Sequence, residues 1–244
     1  MTLAAHQRIL CALDTTDTAQ AVRLAGALAG SIGGMKLGLE FFCAHGPAGF
    51  RAVANSGAPI FLDLKLHDIP NTVAGAVRAM APLGAAIITV HMAGGPEMLR
   101  VAAQTAAEAA DALEAPRPLV VGVTVLTSLD DDDLTAVGVA GGVAHQVVRL
   151  GRLARDCGLD GVVCSPREIA ALRAACGANF KLVVPGIRPA GAANDDQKRV
   201  MTPGEAVALG ADYLVIGRPI TQADNPLAAV KAIVAELGSA PRPA

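Results

Sequence analysis

The chain is predicted to fold as a single-domain α/β protein, a (β/α)8 barrel of the TIM type, and three observations carry that prediction. Apolar runs of strand length alternate with alanine-rich helical stretches eight times along 244 residues, the pattern of a closed parallel barrel rather than an open doubly wound sheet. With 52% hydrophobic and 17% charged residues, the chain can bury a core of that size. The charged residues that interrupt the apolar runs also fall where strands end, and in such barrels that face carries the chemistry.

Taken in order, Arg8 to Leu13 reads as a strand ending at Asp14, followed by a capped helix from Thr15 to Gly30. Met35 to Leu39 forms a short strand after Gly33-Gly34 and carries Lys36, and Glu40 to Asn55 forms the next helix. Ala58 to Leu62 is the third strand. Pro70 suits a helical first turn and opens a helix to about Ala81. Ala86 to His91 is a strand and Pro96 to Leu113 an alanine-rich helix. Leu119 to Leu126 is β-branched and strand-like, and Thr127-Ser128 precede an acidic run from Asp130 to Asp133. Acidic side chains complement a helix N-terminus, so that run receives no catalytic role. Gly142 to Cys157 is helical, Gly161 to Cys164 a strand and Pro166 to Ala175 a helix. Phe180 to Val184 is the seventh strand, followed by a polar loop from Gly186 to Val200 and a helix from about Pro203. Tyr213 to Ile216 is the eighth strand, and the last helix ends near Leu237. The barrel domain is thus expected over 1–238, with 239–244 (SAPRPA) a disordered tail.

Several functions are disfavoured by composition. The net charge is -2, positive charges are scattered and aromatic residues make up 2%, so no nucleic-acid surface is expected. Apolar runs are broken well before membrane-spanning length, and the N-terminus lacks a basic start and a long apolar signal segment. A soluble cytoplasmic protein is the expectation. The five cysteines form no C-x-x-C pair and read as reduced, mostly buried thiols, while the five histidines show no close-spaced metal signature. Separated ligands for a metal stay open, but nothing in the sequence requires one.

The chain's most informative stretch is Phe61 to Thr72, FLDLKLHDIPNT. Asp63 and Lys65 are two apart, a spacing that points both side chains to one face of an extended chain and sets carboxylate beside ammonium at the strand's end. Asp68 adds a second carboxylate. Singly, Asp63 and Lys65 also suit a solvated strand end, and Asp68 a helix cap before Pro70. Together, a charged cluster ending an apolar strand calls for water or a ligand. Barrels often bind phosphate after strands seven and eight. Here Pro185-Gly186-Ile187-Arg188 and Ile216-Gly217-Arg218-Pro219 supply glycines for close approach and two arginine forks, and Gln197 lies in the intervening loop.

The decapeptide D-L-K-L-H-D-I-P-N-T, residues 63–72, resembles the signature of the orotidine 5'-phosphate decarboxylase family, which performs the last step of de novo UMP synthesis. The similarity runs nearly end to end: Asp14 after strand one, Lys36 in strand two, V-T-V-L-T-S after strand five, P-G-I-R after strand seven and I-G-R after strand eight. The resemblance implies that Asp14 and Lys36 hold the ribose and that Lys65, flanked by Asp63, protonates C6 of the pyrimidine. Asp68 and Thr72 would come from the neighbouring subunit of a homodimer. Thr127 or Ser128 would read the base, and Arg188, Gln197, Gly217 and Arg218 would meet the phosphate. No cofactor is implied. Keto-gulonate phosphate decarboxylases and hexulose phosphate synthases share D-x-K-x-x-D on the same barrel but use magnesium; Thr127-Ser128 and the full D-I-P-N-T disfavour them. A non-catalytic phosphate-binding barrel is the remaining alternative, and an intact Lys65 argues against it.

Overall fold

A computed structural model describes residues 3–189 and 201–239. Its strands are β1 (Ile9–Ala12), β2 (Gly34–Gly38), β3 (Ile60–Leu66), β4 (Ile87–His91), β5 (Leu119–Val123), β6 (Gly161–Val163), β7 (Lys181–Val184) and β8 (Tyr213–Ile216). All pair in parallel, in chain order, and β1 meets β8 to close the barrel. The helices are α1 (Thr18–Leu28), α2 (Leu39–Ala54), α3 (Pro70–Met80), α4 (Gly95–Ala112), α5 (Asp131–Ala136), α6 (Gly142–Asp156), α7 (Ile169–Cys176), α8 (Pro203–Ala208), α9 (Arg218–Thr221) and α10 (Pro226–Ser239). The molecule is therefore the single (β/α)8 barrel that the alternation predicts.

The unbroken apolar character of the strands follows from burial on both faces. Leu10, Ala12, Phe61, Ile87, Val121, Val183 and Val215 fill the barrel interior. Their strand neighbours Ile9, Cys11, Leu62, Ile88, Val120, Leu182 and Leu214 point outward into the layer packed against the helices. Strand β6 needs a glycine at Gly161, where a Cβ would run into the Lys181 carbonyl.

Local signals set most boundaries. The Asp17 carboxylate caps α1 by accepting the Gln20 N–H at 2.9 Å. The acidic run forms a reciprocal capping box, with Asp130 accepting the Asp133 N–H and Asp133 accepting that of Asp130, so its reading as helix-start charge holds. Three expectations shift. The helix expected over Glu40 to Asn55 is kinked at Gly46 (φ 53°, ψ -150°), because Pro47 cannot continue an undisturbed helix. Strand β5 stops at Val123, short of Leu126, because its partner β6 reaches only Val163. Helix α10 extends through Ser239; the rest of the expected tail lies outside the described residues. No helix among the described residues is long and apolar enough to cross a membrane.

Arg173 ties the late strands together at the barrel's N-terminal end. Its guanidinium donates to the Gly177, Phe180 and Gly210 carbonyls and to Asp212 Oδ2 at 2.7 Å, and that same oxygen accepts the Leu182 N–H. Removing the guanidinium takes the shortest ion pair from the Asp212 carboxylate, leaving it Lys181 at 3.6 Å and the Leu182 N–H, and takes a donor from three carbonyls. Arg173→Ala is expected to lower unfolding free energy by about 3 kcal/mol. Urea denaturation with an unchanged m-value checks this; a loss under about 0.5 kcal/mol would show that water replaces the arginine.

Candidate active site

The site begins with an irregularity in β3. The β3–β4 ladder pairs Phe61 with Ile87 and Leu62 with Ile88, then resumes only at Leu66 with Val90. Asp63, Leu64 and Lys65 are therefore opposed by Thr89 alone, a bulge in which Lys65 adopts φ +52°. This corrects the expectation of a regular extended chain ending near Leu62. Asp63 and Lys65 do meet, with Lys65 Nζ 2.9 Å from Asp63 Oδ2, but a bulged backbone rather than simple alternation brings them together.

Neighbouring strands extend the pair into a row of alternating charge. Lys36, in β2, pairs in register with Phe61, two residues before Asp63, which itself pairs with Gly38 at the end of the β2–β3 ladder. Its Nζ lies 3.0 Å from Asp14 Oδ1 and 4.0 Å from Asp63 Oδ2. The Lys36 and Asp63 side chains are only 12% and 13% exposed, against 62% for Asp14, so the row runs from solvent at β1 to a largely desolvated pair. Such a row presents fixed charge in a partly dry site, where electrostatic interactions are strengthened. Thr89, buried in β4, accepts the Lys65 N–H at 2.8 Å and donates to Asp63 Oδ1 at 3.0 Å. The sequence reading does not include it; its only signal is one hydroxyl within the apolar run Ile87–His91.

A cavity of about 290 Å³ opens at this rim. Asp14, Lys36, Asp63 and Lys65 line it from the ends of β1 to β3, and Gly186, Arg188, Gly217 and Arg218 from the segments after β7 and β8. Its floor is the apolar barrel interior, including Ala12, Phe61, Val163 and Val215. Arg188 is buried and its side chain donates to the Ile187 carbonyl, while its backbone N–H bonds to the Met201 carbonyl. Arg218 is the first residue of α9 and Gly217 its N-cap.

Thr127 lines the cavity and Ser128 is not among the lining residues, which separates two side chains that sequence reading left together. Asp68 and Thr72 are exposed and outside that lining. The helix-cap reading of Asp68 does not hold, because Ile69 is the N-cap of α3 and the Asp68 carboxylate accepts the adjacent Ile69 N–H at 2.6 Å rather than one in the helix's first turn. Gln197 lies outside the described residues. Beside the row, His67 and His91 stack with centroids 5.3 Å apart. Burial, then His67 and Lys65, push His91 below its ordinary pKa.

Fold and site together define a TIM-barrel protein whose C-terminal rim carries fixed charge for a small polar ligand. The sequence matches the model of the orotidine 5'-phosphate decarboxylase / HUMPS family over residues 7–233, and the chain belongs to that family. It is 55% identical over 230 residues to the orotidine 5'-phosphate decarboxylase of Paramagnetospirillum magneticum, covering 94% of this chain and 98% of that protein. It is 54% identical over 234 residues to that of Moorella thermoacetica, covering 96% and 93%. Among solved structures, the orotidine 5'-phosphate decarboxylase of Lactobacillus acidophilus superposes with a TM-score of 0.83 at 36% identity, covering 95% of this chain and 99% of that one.

The row also acts on its surroundings. Burial, and secondarily Asp14 opposed by Lys36, raises the Cys11 thiol from its ordinary 9.0 to about 12. Between those values the unfolded chain gives up this proton and the folded chain keeps it, so stability falls as pH rises. The expected slope from Cys11 is about 1 kcal/mol per pH unit. Cys11→Ala should flatten the alkaline stability profile by that amount; equal slopes in the two proteins would contradict the assignment.

Proposed function

We propose that this protein decarboxylates orotidine 5'-phosphate to UMP and CO2, the last step of pyrimidine nucleotide synthesis, with Lys65 delivering the proton to C6. The observation that carries this reading is the Asp14–Lys36–Asp63–Lys65 row lining a cavity that also holds two arginines. Relatives named for this activity align over 94–96% of the chain, which favours it over the magnesium-dependent sugar-phosphate reactions.

In the reaction the C6–carboxylate bond breaks, CO2 leaves, and the electron pair stays on C6. No cofactor delocalises that pair, so fixed charge must stabilise it. The Lys65 ammonium supplies the charge and then the proton, which passes to C6 and leaves the amine neutral. Asp63 holds that ammonium through the 2.9 Å contact. Asp14 and Lys36 bind the ribose hydroxyls and Thr127 meets the pyrimidine. Arg188, Gly217, Arg218 and Gln197 hold the phosphate, and binding there serves to orient the distant reacting carbon.

We infer a homodimer in which Asp68 and Thr72 enter the partner's site. That reading is supported by the exposure of Asp68 and Thr72 and by an apolar Ile69 that stands 67% exposed between them. A cytoplasmic location fits the proposed reaction.

The direct test is loss of the orotate absorbance when the protein is mixed with orotidine 5'-phosphate in EDTA. Turnover that depends on added magnesium would favour the sugar-phosphate alternative. Lys65→Ala is expected to lose at least about 10³-fold in turnover with unchanged circular dichroism; near-normal turnover would remove Lys65 from the mechanism.

The shared site has its own test. Lys65→Ala and Asp68→Ala homodimers are each expected to be inactive, but a mixed dimer carries both defects in one site and none in the other. Random reassortment makes about half the dimers mixed, restoring roughly a quarter of wild-type activity. Background activity after subunit exchange is verified by mass spectrometry would place Asp68 within its own chain's site.

A further inference from the structure

We propose that Thr89 is the positioning residue of this site, its hydroxyl locking the Lys65 backbone and the Asp63 carboxylate into one arrangement that aims the Lys65 ammonium. The inference rests on the decarboxylase reading and deepens it by naming what holds the proton donor in place.

The β3–β4 ladder breaks where the site is built. Between the Leu62–Ile88 and Leu66–Val90 pairs, three residues of β3 face the single residue Thr89. A bulge of that kind leaves backbone groups without their ladder partners, and a buried N–H cannot go unpaired without penalty. The Lys65 N–H finds Thr89 Oγ1 at 2.8 Å, so a side chain stands in for the missing backbone acceptor. Lys65 there has φ +52°, a conformation that side-chain-bearing residues adopt only when their surroundings impose it.

Hydrogen-bond polarity fixes the orientation of the hydroxyl. The Lys65 N–H can only donate, so the hydroxyl accepts it and its own proton is free for the carboxylate, which accepts it through Asp63 Oδ1 at 3.0 Å. The two oxygens of Asp63 are thereby divided: Oδ2 receives Lys65 Nζ at 2.9 Å and faces Lys36 Nζ at 4.0 Å, and Oδ1 receives Thr89. This division sets the carboxylate's rotation. Thr89 is 1% exposed, so bulk water does not compete for either bond. One hydroxyl consequently holds both ends of the lysine–aspartate unit: the main chain from which Lys65 extends and the anion on which its ammonium rests. The Thr89 hydroxyl bonds to the Lys65 N–H and to Asp63, whereas the residues proposed to hold the phosphate enter the cavity from the segments after β7 and β8, so loss of the clamp should disturb the reacting end and leave ligand capture largely intact.

The test compares wild type with Thr89→Val, which keeps the shape and removes the hydroxyl, and Thr89→Ser, which keeps the hydroxyl. With orotidine 5'-phosphate, Thr89→Val is expected to lose about 10- to 100-fold in kcat with KM within about threefold, the signature of misplacement by a fraction of an ångström. Thr89→Ser should stay within about fivefold of wild type. A role in packing alone would instead spare kcat in the valine variant, or impair the serine variant as much as the valine one; either result overturns the proposal. Amide hydrogen exchange at Lys65, followed by NMR without substrate, provides a second reading: exchange should be at least about tenfold faster in Thr89→Val than in wild type or Thr89→Ser. Equal protection in all three overturns the clamp. Should wild type leave orotidine 5'-phosphate unchanged, the decarboxylase reading fails, and the exchange measurement still decides the role of Thr89 in holding Lys65. If Thr89→Val does not fold, Thr89→Ala takes its place in both measurements.

Discussion

A lysine held at φ +52° inside a β-strand is the constraint around which the rim of this barrel is arranged. That backbone conformation costs on the order of 1 kcal/mol or more for a side-chain-bearing residue and persists only where neighbours over-determine it. Here the neighbours are the strands on either side. The β2–β3 ladder continues without a break through Gly38 and Asp63, while the β3–β4 ladder opens between Leu62 and Leu66. One edge of β3 is thus anchored while the other bulges, and the bulge delivers Lys65 to Asp63. The same arrangement makes a 13%-exposed carboxylate tenable, because its oxygens meet an ammonium and a hydroxyl rather than apolar side chains.

Closure of the barrel brings the remaining groups to this row. Strand β1 pairs with β8 through Leu10 and Val215, and so the ends of the first and last strands become neighbours. A Cβ on Gly217 would lie 3.9 Å from Asp14 Oδ2, which shows how close the segment opening α9 comes to the charged row. In an open sheet these two regions would stand at opposite edges. In the closed one, Arg188, Arg218 and the lysines share a single cavity. For the proposed reaction this proximity matters: one group of side chains can grip a phosphate while another addresses the ring, and binding at the first organises chemistry at the second.

The division of the cavity also fits a reaction in which charge develops on carbon. Apolar residues such as Phe61, Val163 and Val215 form the floor, and charged groups enter from the strand ends above it. Fixed charges above a dry floor need little reorganisation as the carbanion forms, which is the physical advantage of preorganisation. A mobile, solvated lysine would spend part of that advantage on ordering its side chain. The contacts of Lys65 with Asp63, and of its backbone with Thr89, are what remove that freedom.

The sequence alone determined whatever depends on near neighbours along the chain. Strands buried on both faces must be apolar throughout, so eight such runs were legible; the helix-start charge of Asp130–Asp133 and the D-L-K-L-H-D-I-P-N-T segment were equally local. The Gly46-Pro47 kink was also written locally, although helical periodicity on either side masked it. Other features required strands to be set side by side. Thr89 acts on residues 24 and 26 positions away, and no spacing rule connects it to them. Arg173 reaches Asp212 across 39 positions to join the late strands. The presence of Thr127 in the cavity lining, without Ser128, likewise emerged only once the walls were assembled. Local sequence carries propensity and pattern, whereas the bulge at Lys65 is imposed by how β3 must fit between β2 and β4; tertiary structure decided it because only there do the competing ladders meet.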